Sequence, residues 1–329
     1  MSGTYQGWLG YGWGLEGISV IERMRPKFGV PSFDDTKVAD EQDIYVLNGQ
    51  PLFKCTDTRI VNGGSCLAGG NYVSEVENYL KISVSSTGRT WKITGRDGTV
   101  TTLASVGDIA PPATAPAAGT DAYDLAYKAR WLVTSVKDTN GNEVTYGYSC
   151  FTLPVCYIDK ITYNNRTVTF YYATRPDYLL MANGHSISTI TRRIDTIIVK
   201  TGSAVTSGYR LRYDLAPGSD ASLLTSVRPY GNDLALDTAD KIISGTGLPT
   251  TTFAYNGGGS FASAVNVDNL KKAPDSLAWG DFPGNEGVPA FIPSTLLSVL
   301  DVNSDGISEV LYHFPKSLTE KELSEISQL

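Results

Sequence analysis

The sequence predicts an all-β protein made of repeated antiparallel hairpins, and three observations predict it. First, from 130 to 177 the chain twice runs through an apolar strand, a polar turn and a second strand carrying aromatics on alternate positions. Strand side chains alternate between faces with a period of two. Val144, Tyr146 and Tyr148 therefore share one face, and Val168, Phe170 and Tyr172 share one face further on. Second, Asn140-Gly141 and, more weakly, Asn164-Asn165 stand between those strands. Such dipeptides accept the positive φ angles of a tight hairpin turn. Third, the unit recurs. Residues 193–199 lead through Lys200-Thr201-Gly202 to 209–213, and residues 223–227 lead through a longer loop to 251–255. Hairpin-like units thus begin near Trp131, Tyr157, Arg193 and Leu223. A unit of this size cannot bury its own apolar face, so neighbours must pair or stack.

Taken in order, the chain opens at 7–15 with glycines alternating with Trp8, Tyr11 and Trp13, and runs into a strand at 17–23. Glycine lets the backbone bend while the aromatics are buried, which suits packing at a sheet corner; a carbohydrate-binding aromatic platform is the sharper alternative. Residues 28–70 read as loop-rich, with one strand at 43–47 before Asn48-Gly49. Strands follow around 80–84, 91–94 and 99–103, with turns at Gly88 and Asp97-Gly98. Residues 107–119 are a Pro/Ala-rich excursion, read as a solvated loop without a core of its own. The hairpins then run to 255, where Gly257-Gly258-Gly259 opens a linker. The expected division is a hairpin segment at 1–255, a linker at 256–292 and a C-terminal segment at 293–329. The last ends in an amphipathic helix with Ser317 and Glu320 at capping-box spacing.

Composition narrows the function. The 33 glycines and 19 tyrosines suit many turns and half-buried aromatic strands, and three methionines leave little for a helical core. A formal net charge of −7 argues against an electrostatic grip on nucleic acid or anionic membrane. No apolar run approaches the ~20 residues that span a bilayer, so no membrane insertion is expected. The N-terminus lacks a basic region followed by an apolar core, so no signal peptide is expected; either export proceeds without one or this is an internal piece of a longer protein. The four cysteines form two sequence-local pairs, Cys55 with Cys66 and Cys150 with Cys156. Loop-closing disulfides of an oxidising compartment and free thiols of a cytosolic protein both remain open. Neither spacing is that of a metal site.

The most specific constellation is Asp301-x-Asn303-x-Asp305-Gly306-x-x-Glu309. Oxygen ligands at positions 1, 3, 5 and 9, with glycine at 6 for the sharp turn, suit Ca²⁺, and the Ile307 carbonyl supplies a further ligand. Tyr312 stands where an EF-hand places its bidentate Glu, and the flanking apolar runs read as strands. The expected affinity is that of extracellular modules, on the order of 10⁻⁴ to 10⁻³ M. The bland alternative is a metal-free Asx turn. Catalytic signals are thin. His185 and His313 are the only histidines, and neither accompanies a nucleophile motif. Glu75-Val76-Glu77 after Ser74 has the paired glutamates of ADP-ribosyltransferases, but it opens a strand and lacks the upstream Arg and Ser-Thr-Ser segments. Arg192-Arg193 and Arg210/Arg212 read as solvated strand faces. No enzymatic activity is expected.

With these residues in view, the chain resembles SpvB-type virulence proteins and the B component of three-part bacterial insecticidal toxin complexes, relatives of the Rhs/YD-repeat family. The segments that carry the resemblance are 9–15 with Ile18 and Ile21-Glu22-Arg23, Tyr72-Val73-Ser74-Glu75-Val76-Glu77, and Trp91-Lys92-Ile93-Thr94 with Asp97-Gly98-Thr99. Asp138-Thr139-Asn140-Gly141-Asn142 with Tyr146 and Tyr148, Phe170-Tyr171-Tyr172 with Arg175-Pro176-Asp177, and 300–306 complete the series. The resemblance implies a YD/Rhs-like shell sheet and, from 300–306, the start of an FG-GAP/VCBS propeller blade. It further implies a secreted, non-enzymatic shell segment that encloses and delivers a toxic polypeptide, with another shell component or the C-terminal toxin cargo and a pore-forming component as partners. Strands expected before the opening and further blades after 313 are missing, as is an ADP-ribosyltransferase domain, so the sequence reads as a truncated N-terminal part of such a protein. The alternative function is an extracellular calcium-dependent carbohydrate- or surface-binding β module.

Overall fold

A computed structural model describes residues 6–38, 41–58, 60, 63–184, 186–217, 219–238 and 240–255, together with the backbone of two later strands, 295–300 and 309–313. The chain divides into two compact units, Met1–Gly258 and Gly259–Leu329.

The first unit is antiparallel throughout. After the short pair β1 (Gln6–Gly7) and β2 (Gly10–Tyr11) come β3 (Val20–Met24), β4 (Ile44–Leu47), β5 (Gln50–Lys54), β6 (Tyr72–Ser74), β7 (Lys81–Val84), β8 (Thr90–Thr94), β9 (Val100–Ser105) and β10 (Arg130–Lys137). From β3 to β10 each strand pairs with the next, and β10 pairs back to β3. These eight strands close into a barrel. Its core includes Ile21, Ile82, Trp91, Leu103, Trp131 and Val133. The Trp91 and Trp131 rings meet edge to face at 5.9 Å. Period-two patterning announced strands here, but closure depends on pairing between distant segments, which patterning does not specify.

β10 is a branch strand. Its residues Arg130, Trp131 and Leu132 face Glu22, Ile21 and Val20 of β3. Past an irregularity between Val133 and Ser135 in the β9 pairing, Ser135, Val136 and Lys137 pair with Thr145, Val144 and Glu143 of β11 (Glu143–Thr152). A bulge bends and twists the strand that carries it, so the irregularity sits where the sheet leaves the barrel. The sheet continues through β12 (Val155–Tyr163), β13 (Arg166–Ala182), β14 (Ile187–Thr201), β15 (Ala204–Leu215) and β16 (Ser222–Tyr230). A small hairpin, β17 (Ala235–Leu236) with β18 (Ile242–Ser244), precedes the last strand of the open sheet, β19 (Thr251–Thr252). The hairpin units read from the sequence are β10–β11, β12–β13, β14–β15 and β16–β19. The turns use positive φ at Gly141 (87°), Asn164 (50°) and Gly202 (59°). Asp138 fixes the first of them by accepting from the Asn140 and Asn142 amides at 2.9 and 2.8 Å.

Several expectations are corrected. The loop-rich stretch 28–70 holds β5, which completes the Asn48-Gly49 hairpin, and a helical turn, α1 (Gly64–Leu67). The Pro/Ala-rich excursion starts as α2 (Val106–Ile109), whose Val106 is fully buried, and is followed by α3 (Asp121–Tyr127). Capping explains both: Ser105 Oγ accepts from the Asp108 amide, and Thr120 Oγ1 from the Tyr123 amide. Glu75 and Glu77 follow β6 and do not open a strand. The Glu77 carboxylate accepts from the Gly64 and Tyr79 amides at 2.7 and 2.6 Å, and these bonds lower its pKa.

Both cysteine pairs are bridged, Cys55 to Cys66 and Cys150 to Cys156. The first ties the segment after β5 to α1, and the second spans the β11–β12 turn. Chain-entropy reasoning for loops of this length gives roughly 2–3 kcal/mol per bridge. Replacing Cys55 and Cys66 together by serine is expected to lower the unfolding free energy by about that amount, read from urea denaturation. A change below 0.5 kcal/mol, taken as roughly the scatter of surface substitutions, would show that the loop is held by other contacts.

Candidate functional site

The open sheet presents a broad apolar face, and the glycine-aromatic opening of the chain lies on it. Ile158, Phe170, Ile194, Leu211 and Leu224 form the buried centre together with Leu9, while Trp8, Trp13 and Leu15 pack around them. The Ile194 amide donates to the Trp8 carbonyl at 2.8 Å. Trp13 Nε1 donates to Tyr255 Oη at 2.8 Å, and Tyr255 donates to the Leu224 carbonyl at 2.6 Å. Gly10 has φ of 86°, and a side chain there would collide with the Ser222 carbonyl, so glycine is what lets this segment approach β16. Trp8 and Trp13 are thus half-buried on the sheet instead of standing out as a platform.

An ionic clasp locks this arrangement. The Arg175 side chain is fully buried. Its Nε and Nη2 donate to the Asp177 carboxylate at 3.0 and 2.7 Å, and its Nη1 donates to the Gly7 carbonyl at 3.1 Å. Asp177 also accepts from the Ser222 amide at 2.7 Å and from the Ser222 hydroxyl. That hydroxyl accepts from Arg193 Nη1 at 2.6 Å, and the Arg193 guanidinium lies over the Tyr213 ring. Arg193, read from sequence as solvated, is therefore half-buried and engaged. Burial pushes the Asp177 carboxyl up, but hydrogen bonds from Arg175 and Ser222 outweigh it and hold the group well below the usual carboxylate range. Burial also pushes the Tyr172 and Tyr213 phenols up, so both stay neutral and donate, to Ile158 and Ile194 carbonyls at 2.6 and 2.7 Å. The clasp was missed in the sequence, although Arg175 and Asp177 stand two apart on one strand face.

The calcium constellation belongs to the second unit. Asp301, Asn303, Asp305 and Ile307 fall outside the described residues, as do His185 and residues 317–329, where a helix is expected. Glu309 begins β21 (Glu309–His313), opposite Leu300, the last residue of β20 (Thr295–Leu300). The two runs flanking 301–308 are thus an antiparallel strand pair. Among the described residues, no three His, Cys, Asp or Glu gather as a metal site. Nor is any described helix long and apolar enough to cross a membrane.

Compared by sequence, the chain matches no protein-family model and no curated protein. Compared by structure, it is similar to the N-terminal domain of the effector protein SpvB from Salmonella typhimurium, with 18% identity and a TM-score of 0.51. That match covers 70% of this chain and 92% of the SpvB domain. The chain is also similar to the TcdB2-TccC3-Cdc42 structure, at 18% identity and a TM-score of 0.51, and to the Photorhabdus luminescens Tc holotoxin pore, at 17% and 0.52. Each of these two matches covers 77% of this chain and 14% of the other. The chain has a toxin-complex-like fold. At these identities the likeness is one of fold, and it takes in the SpvB domain nearly whole but only a small part of the toxin-complex chains.

Proposed function

We propose that this chain is a structural, non-enzymatic segment of a secreted bacterial toxin shell that helps enclose and deliver a toxic polypeptide. The observation that carries this reading is the open sheet branching from a closed barrel, in a fold shared with SpvB and with chains of the toxin complexes. The hairpins act as YD-type shell units and need neighbouring shell strands or cargo beside them. The partners are then another shell component, the toxic cargo and the pore component, a reading supported by similar structures that hold TcdB2 together with TccC3 and by a Tc holotoxin pore. Two disulfides favour an oxidising compartment and so a secreted protein. Residues 293–329 begin an FG-GAP/VCBS blade whose loop binds Ca²⁺ through Asp301, Asn303, Asp305, Glu309 and the Ile307 carbonyl.

Light scattering of the full chain, alone and with a TccC3-type component, in Ca²⁺ and in chelator, tests this. Co-migration with the component supports the shell reading; a monomer indifferent to it overturns that reading. Calcium at about a hundred times its Kd is expected to add about 2.7 kcal/mol to the stability of the C-terminal unit, and Asp305→Asn is expected to abolish that gain. Saturable, calcium-dependent glycan binding would favour the carbohydrate-binding alternative instead.

A further inference from the structure

We propose that the face of the open sheet opposite the tryptophans carries a site for a small tetrahedral dianion, a phosphate or sulfate group, built around Arg210, Arg212 and Arg228. This inference is independent of the shell reading. Arg210 on β15 and Arg228 on β16 stand directly opposite each other in the ladder, and Arg212 stands opposite Ser226. Like charges in directly opposed positions destabilise a strand pair, so without an anion this register carries an electrostatic penalty. The three arginines line one depression of about 270 Å³ together with Ser226, Tyr230 and Thr250. Among the described residues no carboxylate lines it, and none lies within ion-pair distance of these guanidinium groups.

Arg210 and Arg228 are also held in place. Arg210 Nη1 donates to the Ile242 carbonyl at 3.0 Å, while its Nε is shut off from solvent and finds no acceptor among the described residues. Arg228 lies over the Tyr230 ring, 5.4 Å from its centroid, and against Gly247, where a side chain would displace it. Planar guanidinium groups bind tetrahedral oxyanions through paired, charge-assisted hydrogen bonds. The volume suits one such group with a few waters at about 30 Å³ each. In a chain whose formal net charge is −7, three clustered, unpaired arginines are a local reversal of the field.

Calorimetric titration of the full chain with inorganic phosphate at fixed ionic strength tests the site, alongside thermal melts in phosphate, sulfate and chloride. Phosphate is expected to bind and to raise Tm where chloride does not. Arg212→Gln and Arg228→Gln, both at exposed positions, are each expected to weaken binding about tenfold, the worth of one charge-assisted contact. Arg228→Gln is also expected to raise Tm in the absence of phosphate, because it relieves the Arg210–Arg228 repulsion. Arg192→Gln, whose guanidinium stacks on Phe151 outside the depression, is expected to leave binding unchanged. Phosphatidic-acid vesicles separate the sources: binding that phosphate competes away assigns the group to a lipid headgroup, and no vesicle binding assigns it to a soluble ligand. Absence of phosphate binding, or binding equal in Arg228→Gln and Arg192→Gln, overturns the proposal.

Discussion

Asp177→Ala is expected to lower the unfolding free energy by about 3–5 kcal/mol, because it strands a buried guanidinium. Arg175 is fully buried and directs two of its nitrogens at Asp177, so the variant leaves a charge without a counter-ion, and it also removes the acceptor of the Ser222 amide. The effect reaches the opening segment, since the same guanidinium holds the Gly7 carbonyl. Urea unfolding followed by tryptophan fluorescence reads both consequences, as Trp8 and Trp13 lie on the sheet beside the clasp. Replacing Arg175 and Asp177 together by apolar residues is expected to recover much of the loss, since a buried pair contributes little net stability against a packed hydrophobic substitute. A wild-type-like Asp177→Ala would mean that water reaches Arg175.

The same pair sets a pH dependence whose sign follows from linkage. The folded pKa of Asp177 is lower than that of an unfolded aspartate, about 3.9. Its contribution is therefore complete above roughly pH 5 and is lost as the pH falls below about 4 towards the folded value. In Asp177→Asn, whose amide does not titrate, the slope of stability against pH below 4 is expected to be shallower than in the parent. Equal slopes would assign acid sensitivity to other carboxylates.

What the sequence made legible was local. Alternating aromatics and Asn-Gly dipeptides report on strands and turns a few residues long, and 140–141, 164–165 and 48–49 all lie at hairpin turns. The barrel was not legible, because Ile21 and Trp131 pair although they stand far apart in the sequence, and no local pattern encodes which distant strands meet. The helical turn α2 and the short helix α3 were missed because neither spans enough turns to show a 3.6-residue period. The arginine depression was hidden for the same reason as the barrel. Arg210 and Arg212 alone look like a wetted strand face, and only the register brings Arg228 across from them.

Trp131→Ala is expected to be the most damaging change in the barrel, at about 3–5 kcal/mol from lost packing. The side chain is 1% exposed, contacts Trp91 and Tyr45 edge to face, and donates from Nε1 to the Gly88 carbonyl at 2.9 Å. Trp131→Phe keeps an aromatic ring but loses that hydrogen bond, so it is expected to fall well short of the alanine variant. Position matters as much as size here. Trp131 lies on the stretch of β10 that pairs with both β3 and β9, and from Ser135 onwards the strand takes up β11. Loosening β10 should therefore weaken the barrel and the open sheet together, with one unfolding transition moving as a whole. Hydrogen exchange decides this, because amides of β14 and β15 far from the mutation are expected to lose protection in step with those of β3 and β9. Two separated transitions, with only the barrel shifted, would show that the sheet is an independent folding unit and that β10 joins the two without coupling them.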